Sequence, residues 1–159
     1  MTTAVDTNVL IALLYDETYA DSSENALREA YREGRVVITP IVYAELAADG
    51  HFEDDNALDT FLRELGIDVV TPSQAALFSA GKAFDRYTTR RPTGLQCPSC
   101  GTQQTVTCST CGEALTPRQH IAADFLIGGH ALVDAESLIS FDTNFYQTYF
   151  PSLTVVPNE

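Results

Sequence analysis

Lysine occurs once in the 159 residues, as Lys82, and tryptophan not at all. Nine lysines and arginines stand against 22 aspartates and glutamates, a formal charge of −13. A chain this poor in bases has no general affinity for polyanions, so any such partner must be met by a local patch. Long apolar runs are also missing. The longest, residues 9–15, is seven residues, against about 20 for a membrane helix, so no membrane span is expected. No positive stretch opens the chain and Asp6 comes early, so no signal peptide is expected and the protein reads as cytoplasmic. Repeats and low-complexity segments are absent. The hydrophobic share, 45%, is ordinary for a globular domain and excludes general disorder. This length accommodates one domain with a core and a small appendage.

The charge is unevenly placed. Lys82, Arg86, Arg90, Arg91 and Arg118 face only Asp85 and Glu113 within residues 82–118, a net of +3 that leaves −16 for the remainder. The acid excess fits either a halophile-type chain or simply an acidic protein.

Short β-rich runs alternate with helical periodicities. Strands are predicted at residues 3–5, 35–39, 67–70, 137–141 and 153–156. Helices are predicted at 8–14, 18–33, 40–48, 53–65, 72–90 and 119–135, with Gly34 and Gly66 as stops and Pro40 as a first-turn residue. Strand–helix alternation implies an α/β fold: a three-layer α/β/α arrangement with a mostly parallel central sheet. Residues 91–117 break the rhythm with three prolines and all four cysteines. They read as an insertion, leaving 1–90 and 118–159 as one domain.

Four carboxylates are unusually placed. Asp6 and Asp142 each follow a strand, where α/β proteins gather their sites. Glu45 has Ile41, Val42 and Ala48 three or four residues away, and Asp124 has Ile121, Ile127 and Gly128, so both are expected on apolar, core-side helix faces. Each has a plain structural alternative: helix N-caps for Asp6 and Asp142, arginine partners for Glu45 and Asp124. Taken together, with few bases to pair with, they form a cluster of like charges that a hydrated divalent cation would neutralise. Such a cation activates water for attack on a phosphate.

Asp6-Thr7-Asn8, Glu45 after Pro40, Ala123-Asp124-Phe125-Leu126-Ile127-Gly128 and Phe141-Asp142-Thr143-Asn144-Phe145 together resemble the PIN domain. PIN domains are small metal-dependent ribonucleases, commonly the VapC toxins of toxin–antitoxin pairs. The resemblance implies Mg²⁺ or Mn²⁺ held by Asp6, Glu45, Asp124 and Asp142, with Thr7, Asn8 and Ser140 in support. It further implies an RNA substrate, an antitoxin partner and a homodimer. A haloacid-dehalogenase-type phosphatase also opens strand–Asp, but needs a second Asp where Asn8 stands.

Cys97-x2-Cys100-Gly and Cys108-x2-Cys111-Gly are paired knuckles seven residues apart. Four thiolates suit structural Zn²⁺; two disulfides or an iron site are the alternatives. A zinc ribbon beside a PIN domain also resembles a pre-ribosomal RNA endonuclease, though there the ribbon follows the domain. Arg86, Arg90, Arg91 and Arg118 flank the knuckles and are candidates for RNA phosphates; the alternative is that they offset acids elsewhere. His120 and His130 fall on the Asp124 helix and read as satisfied or solvent-facing more than as supports of the site. His51 reads as exposed. Tyr146, Tyr149 and Phe150 read as core or dimer packing. Three functions follow: an endoribonuclease, a catalytically silent scaffold binding an antitoxin or ribosomal particle through the knuckle, and a flap-endonuclease-like DNA enzyme.

Overall fold

A computed structural model describes residues 1–15, 18–90, 94–97, 100, 102–115 and 121–157. In chain order the elements are β1 (Thr2–Val5), α1 (Thr7–Leu14), α2 (Ala20–Glu33), β2 (Arg35–Ile38), α3 (Pro40–Asp49), α4 (Asp55–Leu65) and β3 (Asp68–Val69). Then come α5 (Gln74–Arg90), β4 (Leu95–Gln96), β5 (Gln103–Gln104), α6 (Ala123–Asp134), β6 (Ser137–Ile139), α7 (Thr143–Tyr149) and β7 (Val155–Val156).

Five strands pair in parallel in the order β3-β2-β1-β6-β7, the α/β architecture that the alternation predicts. Inner parallel strands are covered on both faces and need continuous apolar runs. Ala4 and Val5, Val36 to Ile38, and Leu138 with Ile139 meet that need and are all buried. Helix α2 packs on β2, α6 on β1 and β6, and α7 on β7. Local chemistry sets the helix ends. Thr39 Oγ1 accepts from the Val42 N–H at 3.4 Å ahead of Pro40, and Asp54 accepts from the Ala57 N–H at 2.9 Å. Gly66 closes α4 at φ 70°, a left-handed conformation that glycine adopts without strain.

The chain runs from β1 outward to β2 and β3, then returns across the sheet to β6 on the other side of β1. The reversal puts a crevice at the carboxyl ends of β1 and β6, where ligands of open α/β sheets bind.

One helix escapes the sequence reading. Thr, Asn, Phe and Tyr dominate α7, residues of middling helix propensity. Its formation is decided by packing: Tyr146 and Phe150 are buried. Among the described residues of 91–117, β4 and β5 form a separate antiparallel pair, Leu95 opposite Gln104, and Thr107 bridges Ala114.

Helices α5 and α6 run antiparallel, tied at one end where Asp134 accepts from Ser73 Oγ at 2.6 Å and from its N–H at 2.7 Å. Gly129 allows the close approach, and Gly128 makes room for the Phe150 ring. A Cβ on Gly129 would stand 2.6 Å from the Ala76 carbonyl oxygen and 2.8 Å from Ala80 Cβ, and one on Gly128 would stand 2.4 Å from the Phe150 ring. Backbone cannot yield cheaply, so Gly129→Ala is expected to destabilise the fold by about 1–3 kcal/mol. An unchanged midpoint in urea unfolding would show that the helices are not packed this tightly.

Candidate active site

Asp6 is the first residue beyond β1 and the N-cap of α1, and it is 4% exposed. Its carboxylate accepts from the Thr7 N–H at 2.8 Å, Asn8 Nδ2 at 3.0 Å, Ser140 Oγ at 2.7 Å and the Tyr146 hydroxyl at 3.1 Å. Ser140, buried just beyond β6, also accepts from Asn8 Nδ2 at 3.2 Å and from the Asp142 N–H at 3.0 Å. The Phe141 N–H in turn donates to Asn8 Oδ1 at 3.3 Å. The two strand ends are thus laced together by side chains of the Asp6-Thr7-Asn8 motif. Burial raises the Asp6 pKa above its ordinary value, with the Glu45 charge adding to the rise; the donors from Ser140, Thr7 and Tyr146 oppose it.

Thr7 Oγ1 donates to Glu45, half-buried on α3, and so orients the second acid. Asp124 lies in the first turn of α6 and Asp142 caps α7, accepting from the Phe145 N–H at 3.3 Å. Asp6, Glu45, Asp124 and Asp142 line one cleft of about 580 Å³ together with Thr7, Asn8, Ile11, Ala48 and Asp49. A recess of about 560 Å³ at the amino ends of β1 and β6 holds no such convergence; its acids, Glu29 and Glu33, lie along α2.

Asp6 and Asp142 each cap a helix and also line the cleft, so the two placements do not exclude one another. Asp124 departs from expectation. It is exposed rather than core-facing, since a side chain in a helix's first turn leans out past the helix end. Partial loss of solvation where it lines the cleft lifts its pKa to about 6, with the charges of Asp6, Glu45 and Asp142 adding to the effect. Among the described residues, arginine and lysine pair with other acids (Arg28 with Glu24, Arg35 with Asp68, Lys82 with Asp85), and none of these pairs involves the four carboxylates.

Among the described residues, no group of three or more His, Cys, Asp or Glu side chains is gathered as a ready-made metal site. The donor set nonetheless suits a hard divalent cation: all oxygens, all acidic, and crowded enough to raise a pKa. Mg²⁺ keeps several of its own waters, so carboxylates serve it without closing on one point.

Backbone hydrogen bonds are seen at two of the cysteines. The Cys97 N–H donates to Thr102 O at 3.0 Å, and the Cys108 N–H to Glu113 O at 2.7 Å. Backbone N–H groups of Cys111 and Thr110 lower the Cys108 pKa to about 7. Of the basic candidates, Arg86 donates to Tyr149 O at 2.9 Å. Neither Arg86 nor Arg90 lines the cleft, and Arg91 and Arg118 lie outside the described residues, as does His120. His130 is buried against Asp134, and His51 is exposed and packs edge-on against Tyr15.

Two residues of the site go unnoticed in the sequence. Asp49 is four residues after Glu45 on α3, a spacing that puts both on one face. Tyr146 is buried as expected, yet its hydroxyl is spent on Asp6; α7 has to be recognised before that position has meaning.

Fold and cleft together define a small parallel α/β domain that presents acids at the carboxyl ends of its central strands. The family model of the PIN domain matches residues 3–151, and the chain belongs to that family. Solved structures share the fold, among them two of VapBC pairs. One is VapBC2 from Rickettsia felis bound to a DNA fragment from their promoter, at TM-score 0.60 and 19% identity, covering 98% of this chain and 97% of that one. The other is VapBC-1 from nontypeable Haemophilus influenzae, at TM-score 0.62 and 20% identity, covering 98% and 96%. No curated protein matches the chain.

Asp124 ionises near 6 in the fold against an ordinary 3.8. Between those values the folded chain keeps a proton that the unfolded chain has released, so its contribution to stability falls as pH rises from about 4 to about 6. In metal-free buffer, Asp124→Asn is expected to melt above the wild type at pH 7.5, with the gap shrinking as pH falls through 6. A gap that does not vary with pH would show that the four acids do not crowd Asp124.

Proposed function

We propose that this protein is a metal-dependent endoribonuclease that hydrolyses RNA phosphodiester bonds. The observation that supports it most is the convergence of Asp6, Glu45, Asp124 and Asp142 on one cleft with no described arginine or lysine to neutralise them. Mg²⁺ or Mn²⁺ would occupy that cleft, supplying a Lewis acid that activates water and offsets phosphate charge. The chain's own residues do the positioning. Ser140, Asn8 and the Thr7 N–H fix Asp6, Thr7 Oγ1 steers Glu45, and the α7 N-cap holds Asp142. Similarity of fold to two VapBC structures supports the toxin-type reading over RNA processing, with an antitoxin as protein partner.

Within the same proposal, residues 91–117 are a zinc-binding insertion in the domain formed by 1–90 and 118–159. Cys97, Cys100, Cys108 and Cys111 hold Zn²⁺, since each knuckle turns backbone N–H groups toward thiolates, the electrostatic setting a closed four-sulfur site requires. Arg86 gives one N–H to an α7 carbonyl and keeps its other donors, so Arg86, Arg90, Arg91 and Arg118 are the arginines assigned to RNA phosphates.

Asp6→Asn and Asp124→Asn should each reduce Mn²⁺-dependent cleavage of RNA to background while a DNA substrate stays uncut by the wild type. Full activity in both variants would refute the nuclease assignment, and a wild type that takes up no Mn²⁺ in titration calorimetry would favour the silent scaffold. Metal analysis of the purified protein should find one zinc per chain, lost in Cys108→Ser. Two disulfides in a non-reducing digest would overturn the zinc assignment.

A further inference from the structure

Asp6 receives four hydrogen bonds from the described residues, and its two oxygens share them unequally. Oδ1 accepts only the Thr7 N–H, at 2.8 Å. Oδ2 accepts Ser140 Oγ at 2.7 Å, Asn8 Nδ2 at 3.0 Å and the Tyr146 hydroxyl at 3.1 Å. A carboxylate oxygen offers about two lone-pair sites. Three donors therefore saturate Oδ2, while Oδ1 keeps one direction open.

Ser140 and Asn8 are supports of the kind the motif resemblance implies. Tyr146 is an addition carried by α7, the helix whose N-cap is Asp142. It is fully buried, with the Phe145 ring edge-on at 5.1 Å and the Phe150 ring at 6.4 Å. A phenol in such surroundings needs a partner for its hydroxyl, and the partner here is the first carboxylate of the cleft. The bond also ties α7 to the end of β1, so it bears on both the placement of Asp142 and the rotation of the Asp6 carboxylate.

We infer that Tyr146 is a positioning residue for Asp6: its hydroxyl completes the donor set on Oδ2, so that Oδ1 alone is presented to a divalent cation. This rests on the metal-dependent reading above. The donors on Oδ2 would hold the carboxylate in that orientation toward an ion.

Two measurements on the full chain test it. In titration calorimetry with Mn²⁺, Tyr146→Phe is expected to raise the Kd roughly tenfold, the usual effect of losing a group that orients a metal ligand. The metal-free melting temperature serves as the control for a purely structural role. In ¹³Cζ-tyrosine NMR, Mg²⁺ should shift the signal of one buried hydroxyl among the seven tyrosines, and that signal should be missing from Tyr146→Phe. Should the variant fail to fold, the wild-type Mg²⁺ titration alone decides, through movement of that buried signal. An unchanged Kd, or tyrosine signals all indifferent to Mg²⁺ in a wild type that binds Mn²⁺, overturns the inference and leaves the nuclease reading standing. A wild type that binds no Mn²⁺ overturns both.

Discussion

Repulsion between like charges is the constraint around which this domain is built. Asp6, Glu45, Asp124 and Asp142 come from four different elements, so nothing in the local backbone forces them together. They are held facing one cleft by the packing of β1, β6, α3, α6 and α7. The cost shows in the raised pKa of Asp124, pushed to about 6 by loss of solvation and then by the charges of the other three acids. Compensation is local and specific: four donors on Asp6, one on Glu45, a helix N-terminus for Asp142. The rest of the molecule adds no relief, because its net charge has the same sign as the cleft.

Why the acids come from these elements follows from topology. Parallel strands point their carboxyl ends the same way, and the return of the chain across β1 opens a gap between β1 and β6. Residues immediately after those two strands then face each other across that gap. Asn8 and Ser140 fill it with hydrogen bonds, which makes the Asp6-Thr7-Asn8 run a structural device as much as a chemical one. The close contact of α6 with α5, made possible by Gly129, sets how far the Asp124 end of α6 reaches toward the same gap.

Much of this was legible in the sequence. All five strands of the parallel sheet overlap the predicted ones: the three inner strands are continuous buried runs, while the edge strands β3 and β7 shrink to two residues each. Helices with strong caps or stops, such as α4 between Asp54 and Gly66, were placed to within two residues. What escaped was set by tertiary contact. Helix α7 has weak propensity and exists because Tyr146 and Phe150 find a buried site. Asp124 looked core-facing because its helical neighbours are apolar, while its actual direction depends on where α6 begins. The four acids were readable as a set; the fifth, Asp49, and the hydroxyl of Tyr146 depend on geometry that spacing alone does not show.

The antiparallel pairing of α5 and α6 gives the cysteine-bearing segment a particular freedom. Two neighbouring helices that are already locked side by side need only a short bridge, so whatever chain lies between them is topologically a hairpin tip. Lengthening such a tip adds little closure entropy, since the cost grows only with the logarithm of its length. A module can therefore be accommodated at that point without disturbing the sheet or the glycine seam.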